Sequence, residues 1–125
     1  MSDDRARPGR HLAAFSLLLL WEMPDHGLHL HRRINGALPD GLQVDIGNLY
    51  RVLRDLEARG AVQSAWDTEG RGSARRIYRI TAAGRNELRG WSEDISKRRA
   101  AFDWFLERWQ ALAEPDDNVE ARLHG

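Results

Sequence analysis

The stretch Asp45-Ile46-Gly47-Asn48-Leu49-Tyr50-Arg51-Val52-Leu53-Arg54-Asp55-Leu56-Glu57-Ala58-Arg59-Gly60 decides how this chain is read. Ile46, Leu49, Leu53 and Leu56 recur at spacings of 3, 4 and 3, which is one apolar face of a helix. Asp45 is a natural N-cap and Gly60 a natural C′ residue, so both ends are marked. Asn48, Arg51, Val52 and Asp55 fall on the other side, flanked by Arg54 and Arg59. A helix held by one face can offer Asn and Arg to base edges. Asn pairs through two hydrogen bonds with adenine, and Arg does so with guanine.

Downstream, Val62 to Thr68 and Arg75 to Thr81 read as two strands around the glycine-bearing tip Glu69-Gly70-Arg71-Gly72-Ser73-Ala74. This hairpin sets Arg71, Arg75 and Arg76 beside the helix, where cations neutralise phosphate without reading sequence. Upstream, a first helix runs from about Arg10 to Met23 and stops at Pro24. A second begins near His26-Gly27 and runs to Ile34, ended by Asn35-Gly36, and Leu38 to Val44 forms a turn-rich link. The order predicts a mostly helical α+β fold, a winged helix-turn-helix with a two-stranded wing.

Thr81 is placed to cap a last helix from about Ala82 to Ala113, closed by Pro115. Leu88, Trp91, Ile95, Arg98, Phe102, Phe105, Trp109 and Leu112 follow a 3-4-3-4-3-4-3 spacing, a heptad seam interrupted at Arg98. Roughly 30 helical residues extend about 45 Å, more than so small a domain can cover. The seam predicts dimerisation through Leu88, Trp91, Ile95, Phe102, Phe105, Trp109 and Leu112. The expected organisation is a flexible arm over 1–9, a winged-helix domain over 10–81, a dimerisation helix over 82–113 and a flexible tail over 114–125.

With 125 residues and no cysteine, the chain is one small domain without disulfides or thiolate chemistry. Formal net charge is zero, but it is unevenly spread: residues 1–90 carry 14 basic against 11 acidic side chains, and residues 91–125 carry 5 against 8. Basic charge thus sits with the reading helix and hairpin. The apolar run Leu12 to Trp21 follows Arg5, Arg7 and Arg10 as in a signal peptide, yet Glu22-Met23-Pro24-Asp25 replaces a cleavage site. A run of ten residues is too short to cross a bilayer, so the expectation is a buried helix in a cytoplasmic protein.

Enzymatic chemistry finds no support. There is no paired-carboxylate motif in context, no nucleophile with a base, and no phosphate-cradling glycine loop before a helix. His26, His29 and His31 cluster, but His31 points away from the other two on a helix, so neither a metal nor another cofactor is expected.

Residues 12 to 91 resemble the PadR family of transcriptional regulators. The resemblance rests on the apolar first helix, on His26-Gly27, on Gly47-Asn48-Leu49-Tyr50-Arg51-Val52-Leu53-Arg54-Asp55-Leu56-Glu57 closing at Gly60, and on Arg75-Arg76-Ile77-Tyr78-Arg79-Ile80-Thr81-Ala82-Ala83-Gly84-Arg85. The family often has Thr at the position of Asn48 and Pro at that of Ala82. The first departure alters a residue expected to face DNA, so no operator sequence carries over. The resemblance implies a homodimer that represses transcription and is released by a small, often aromatic, effector.

The residues expected to touch double-stranded DNA are Gln43, Asn48, Tyr50, Arg51, Arg54, Arg71, Arg75 and Arg76. Asn48 and Arg51 are assigned to bases; Gln43 and Tyr50 are assigned to phosphates, with Tyr50 equally readable as a core aromatic. Arg32 and Arg33 are further candidates for phosphate contact. Trp91, Phe102 and Trp104 are read as lining an effector site between subunits, with dimer packing as the competing role for Trp91. The alternative function is a winged-helix protein-interaction module, suggested by Asp45, Asp55 and Glu57 near the reading face.

Overall fold

The computed structural model describes residues 8–67 and 75–124. A 3-10 turn at Pro8–His11 leads into α1 (Leu12–Glu22), followed by β1 (Asp25–His26), α2 (Gly27–Ala37), α3 (Ile46–Ala58), β2 (Val62–Asp67), β3 (Arg75–Ile80) and α4 (Ala82–His124). The chain divides into two compact units, one ending at Trp91 and the other beginning at Ser92.

In the first unit, α1 is almost wholly apolar and buries Leu12, Leu17 and Leu20. Leu30 and Ile34 of α2, and Leu49, Leu53 and Leu56 of α3, complete the same core with Val62 and Tyr78 from the sheet. Three helices and a small sheet thus exclude water from one cluster, the main source of stability in so small a unit.

The ends of α3 are fixed as its sequence demands. Asp45 accepts a hydrogen bond from the Asn48 backbone N–H at 3.2 Å. At the other end Gly60 takes φ 78°. There the Gly60 N–H donates to the Glu57 carbonyl at 3.0 Å and the Ala61 N–H to the Leu56 carbonyl at 2.8 Å, the paired bonds of a Schellman motif.

The sheet has order β1-β3-β2 and is antiparallel throughout. The expected hairpin therefore carries a third strand, with Asp25 opposite Tyr78 and His26 opposite Ile77. Two residues are too few to show alternation, which is why β1 leaves no trace in the sequence pattern. α2 also continues through Asn35-Gly36 to Ala37, although that pair was expected to end it. Asn35 acts as a clasp instead: its side chain accepts from the Val44 N–H at 2.8 Å and donates to the Val44 carbonyl at 3.1 Å.

α4 opens on Thr81, whose hydroxyl accepts from the Gly84 N–H at 3.0 Å. Its helix runs to His124, so the stretch 114–124, expected as a flexible tail, is helical in backbone. Pro115 cannot donate to the ladder, while Glu120, Ala121, Arg122 and Leu123 all favour helix. Leu88 and Trp91, expected in the dimer seam, pack against the core of the first unit. Within the second unit Phe102, Phe105, Trp109 and Leu112 are each more than half exposed. No helix among the described residues is long and apolar enough to cross a membrane.

Candidate nucleic-acid interface

With Leu49, Leu53 and Leu56 turned into the core, α3 presents Asn48, Arg51, Arg54 and Asp55 outward. Arg51 donates from Nη2 to the Asn48 side-chain oxygen. The two residues expected to read bases therefore hold one another one turn apart, near the N-terminal end of the helix. Forming base contacts requires each to exchange this partner for a base edge.

The acidic residues of this region are largely committed elsewhere. Asp45 caps α3. Glu57 accepts from both the Ser64 N–H at 3.1 Å and the Ser64 hydroxyl at 2.7 Å. Ser64 in turn accepts from Arg76 Nη1 at 2.7 Å, and the Arg76 guanidinium lies 4.7 Å from the Trp66 ring centroid. Arg76 is thus held flat on the hairpin, with donors remaining on its free edge. Arg75 is exposed at the start of β3, opposite Asp67 in the ladder. Arg71 lies outside the described residues.

Two expected phosphate contacts are placed differently. The Gln43 amide donates toward the carbonyls of Asn35, Leu38 and Pro39 at 3.1 to 3.4 Å, bracing the loop before α3. Arg33 donates to Asp25 at 2.9 Å, to the Leu19 carbonyl at 2.9 Å and to Glu22 at 3.3 Å, tying α1, β1 and α2 together. Nothing local in the sequence announces that pairing, since its partners lie 8 to 14 residues away. Arg32 is exposed.

The histidines serve the scaffold as well. His29 Nδ1 bonds Asp25 at 2.7 Å, His31 Nε2 bonds the Val44 carbonyl at 2.8 Å, and His26 Nε2 lies 3.5 Å from Asp67. Among the described residues no group of three or more His, Asp or Glu is placed to hold a metal ion.

Between the start of α2, the outer side of α3 and the hairpin lies a groove of about 300 Å³, lined by His26, Gly27, Leu28, Tyr50, Trp66, Arg75, Arg76 and Tyr78. The Tyr50 ring packs on Gly27, while 37% of its surface stays exposed. A Cβ at Gly27 would lie 2.5 Å from the Tyr50 ring, so a larger residue there would displace the ring. Burial pushes the Tyr78 phenol up from its ordinary pKa, with Arg76 and Arg54 nearby pulling the other way.

Of the aromatic residues read as an effector site, Trp91 donates to Glu87 at 3.1 Å and meets the His11 ring edge-on at 5.8 Å. Phe102 and Trp104 are exposed on the second unit.

Comparison with known proteins gives a consistent result. The model of the family described as the transcriptional regulator PadR-like family matches residues 17–90. Among solved structures, a conserved protein of unknown function, described as a potential transcriptional factor, is 34% identical, with TM-score 0.71, covering 86% of this chain and 94% of its own. A PadR family transcriptional regulator from Eggerthella lenta is 27% identical, with TM-score 0.66, covering 80% and 85%. An uncharacterized protein from Lysinibacillus sphaericus is 25% identical over 97 residues, 78% of this chain and 89% of that one.

Proposed function

This chain belongs to the PadR-like family of transcriptional regulators, and on that premise we propose that it is a homodimeric repressor of a pseudo-palindromic operator. The observation that carries the reading is the exposed Asn48–Arg51 pair on α3, with Arg75 and Arg76 beside it on the hairpin. The pair supplies base recognition; the hairpin arginines supply affinity that does not depend on sequence.

Dimerisation provides the second recognition helix. The exposed face carrying Phe102, Phe105, Trp109 and Leu112 pairs with the same face of a second copy, the isologous contact of a two-fold dimer. The two α3 helices then enter successive major grooves with centres about 34 Å apart. Two copies acting together also offset the neutral net charge of a single chain. A small aromatic effector bound among the exposed aromatics of the paired helices, Phe102 and Trp104 included, shifts the dimer away from the operator-binding spacing.

The protein-interaction alternative draws on acidic residues near α3. It is weakened because Asp45 and Glu57 spend their carboxylates on a helix cap and on Ser64.

A salt series on binding to promoter-proximal fragments tests the proposal. Affinity is expected to fall steeply with added salt, with a log-log slope near −0.9 per phosphate neutralised. Arg75→Gln with Arg76→Gln is expected to flatten that slope by about one to two. Salt-independent binding, or no binding to any such fragment, overturns it.

A further inference from the structure

We propose that Leu42 is a further specificity residue, an apolar side chain held beside the N-terminal end of α3 to pack on the C5-methyl group of a thymine. The inference rests on the DNA-binding reading of α3 and adds to it a contact that uses no hydrogen bond.

The turn that carries Leu42 is fixed from both sides. The Leu42 N–H donates to the Pro39 carbonyl at 3.0 Å, and Gly41 between them takes φ 88°, which glycine adopts without strain. Next along, Gln43 spends its amide on the carbonyls of Asn35, Leu38 and Pro39. Val44 is buried, and the Asn35 side chain holds both its N–H and its carbonyl. His31 Nε2 donates to the same carbonyl at 2.8 Å. Asp45 then caps α3. The loop is thereby tied to α2 on one side and to α3 on the other.

In the middle of this bracing Leu42 stays 49% exposed. A lone leucine on a loose surface loop is ordinary. Here the backbone is already ordered, so covering the side chain gains apolar burial with little conformational freedom left to lose.

The position selects the occupant. Leu42 lies three residues before the N-cap of α3, at the end of a recognition helix whose residues meet base edges. The major-groove edges of the base pairs carry one apolar feature, the thymine methyl, which apolar side chains read. A phosphate is a poor alternative, because Leu42 offers it no donor and the exposed Asp40 in the same turn repels it. Asn48 and Arg51 thus read hydrogen-bonding groups, while Leu42 reads a methyl beside them.

Selection from a random double-stranded DNA library by full-length wild type, Leu42→Ala and Asn48→Ala tests the contact. Wild type and Asn48→Ala are expected to share a thymine preference at one position of each half-site, and Leu42→Ala to lack it. Replacing that thymine by deoxyuridine in both half-sites removes only the two methyls. The swap is expected to weaken wild type about tenfold and to leave Leu42→Ala unchanged. Gln43→Ala, which loosens the turn, is expected to lose part of the preference with its salt slope intact. Wild type indifferent to deoxyuridine at every thymine, or Leu42→Ala as sensitive to it as wild type, overturns the methyl contact. A Gln43→Ala protein that keeps the preference but lowers the salt slope by about one assigns Gln43 to phosphate and overturns the brace. Enrichment of no sequence by wild type is instead a failure of the repressor reading, and the contact falls with it.

Discussion

The Arg59 guanidinium, at the C-terminal end of α3, grips both carboxylate oxygens of Glu87 in α4, through Nε at 2.8 Å and Nη2 at 2.7 Å. The contact joins the end of α3 to the first turns of α4, and Glu87 also accepts from the Trp91 indole at 3.1 Å. The paired hydrogen bonds hold the Glu87 carboxyl below its ordinary pKa against the opposing effect of burial, and Glu87 holds the Arg59 guanidinium above its own.

Glu87→Gln is therefore expected to cost about 1 kcal/mol near neutral pH, the upper range for a partly exposed ion pair with bidentate geometry. Because the folded pKa is the lower one, this contribution is complete above the ordinary glutamate value. It is lost as pH falls through the depressed folded value. Thermal unfolding of wild type and Glu87→Gln at a series of pH values is the measurement. The Tm gap should be widest at neutral pH and close in acid; a gap that widens in acid contradicts the assignment.

A second prediction concerns Gly84, where the first turn of α4 packs against the Ala61 backbone that follows α3. A Cβ there would lie 2.1 Å from the Ala61 carbonyl oxygen, a backbone atom that is itself bonded to the Thr81 N–H at 3.1 Å. Gly84→Ala would stabilise an ordinary exposed helix by about 1 kcal/mol. Here the clash reverses the sign, and a loss of about 2–3 kcal/mol is expected by urea denaturation. Gly90 has nothing within 4 Å of its Cβ position, so Gly90→Ala is the matched control that should stabilise.

The reading of bases makes a separable prediction. Asn48→Ala and Arg51→Ala should each reduce discrimination between operator and random DNA by about 1–3 kcal/mol, while leaving the salt slope almost unchanged for Asn48. Because Arg51 donates to Asn48, their effects should couple, and the double variant should lose less than the sum. Footprinting titrations on matched and scrambled sites read both quantities. Strict additivity would mean that the pair separates completely in the complex.

How much of this was legible in the sequence depends on how far apart the interacting residues lie. α3 announces itself because its core face, its Asp45 cap and its Gly60 terminus all fall within one continuous stretch. The hairpin and the Thr81 cap are equally local. β1 was invisible because it consists of two residues whose only signature is a partner strand some 50 positions away. Arg33 and Gln43 look like surface donors awaiting DNA until the fold brings carbonyls and Asp25 to them. The aromatic groove escaped for the same reason, since α2, α3, β2 and β3 each contribute only part of its wall. The 3-4 repeat of the last helix is legible as spacing, but spacing does not tell which chain covers it. Leu88 and Trp91 find cover within their own unit.

That division of the seam leads to the last prediction. Phe102 is 64% exposed and Phe105 58% exposed, whereas Leu88 and Trp91 contribute to the core of the first unit. Burying one phenylalanine is worth about 1.5–3 kcal/mol, so removing two from a dimer contact and adding charge should raise the dissociation constant by a hundredfold or more. Phe102→Glu with Phe105→Glu is expected to sediment as a monomer while keeping its folded first unit, seen as an unchanged urea midpoint for the core. Trp91→Ala is expected to act oppositely, lowering that midpoint by removing a half-buried ring and its bond to Glu87. A double glutamate variant that stays dimeric would move the contact to another face of α4. A variant that unfolds the first unit would show that the exposed aromatics support the core instead of a second chain.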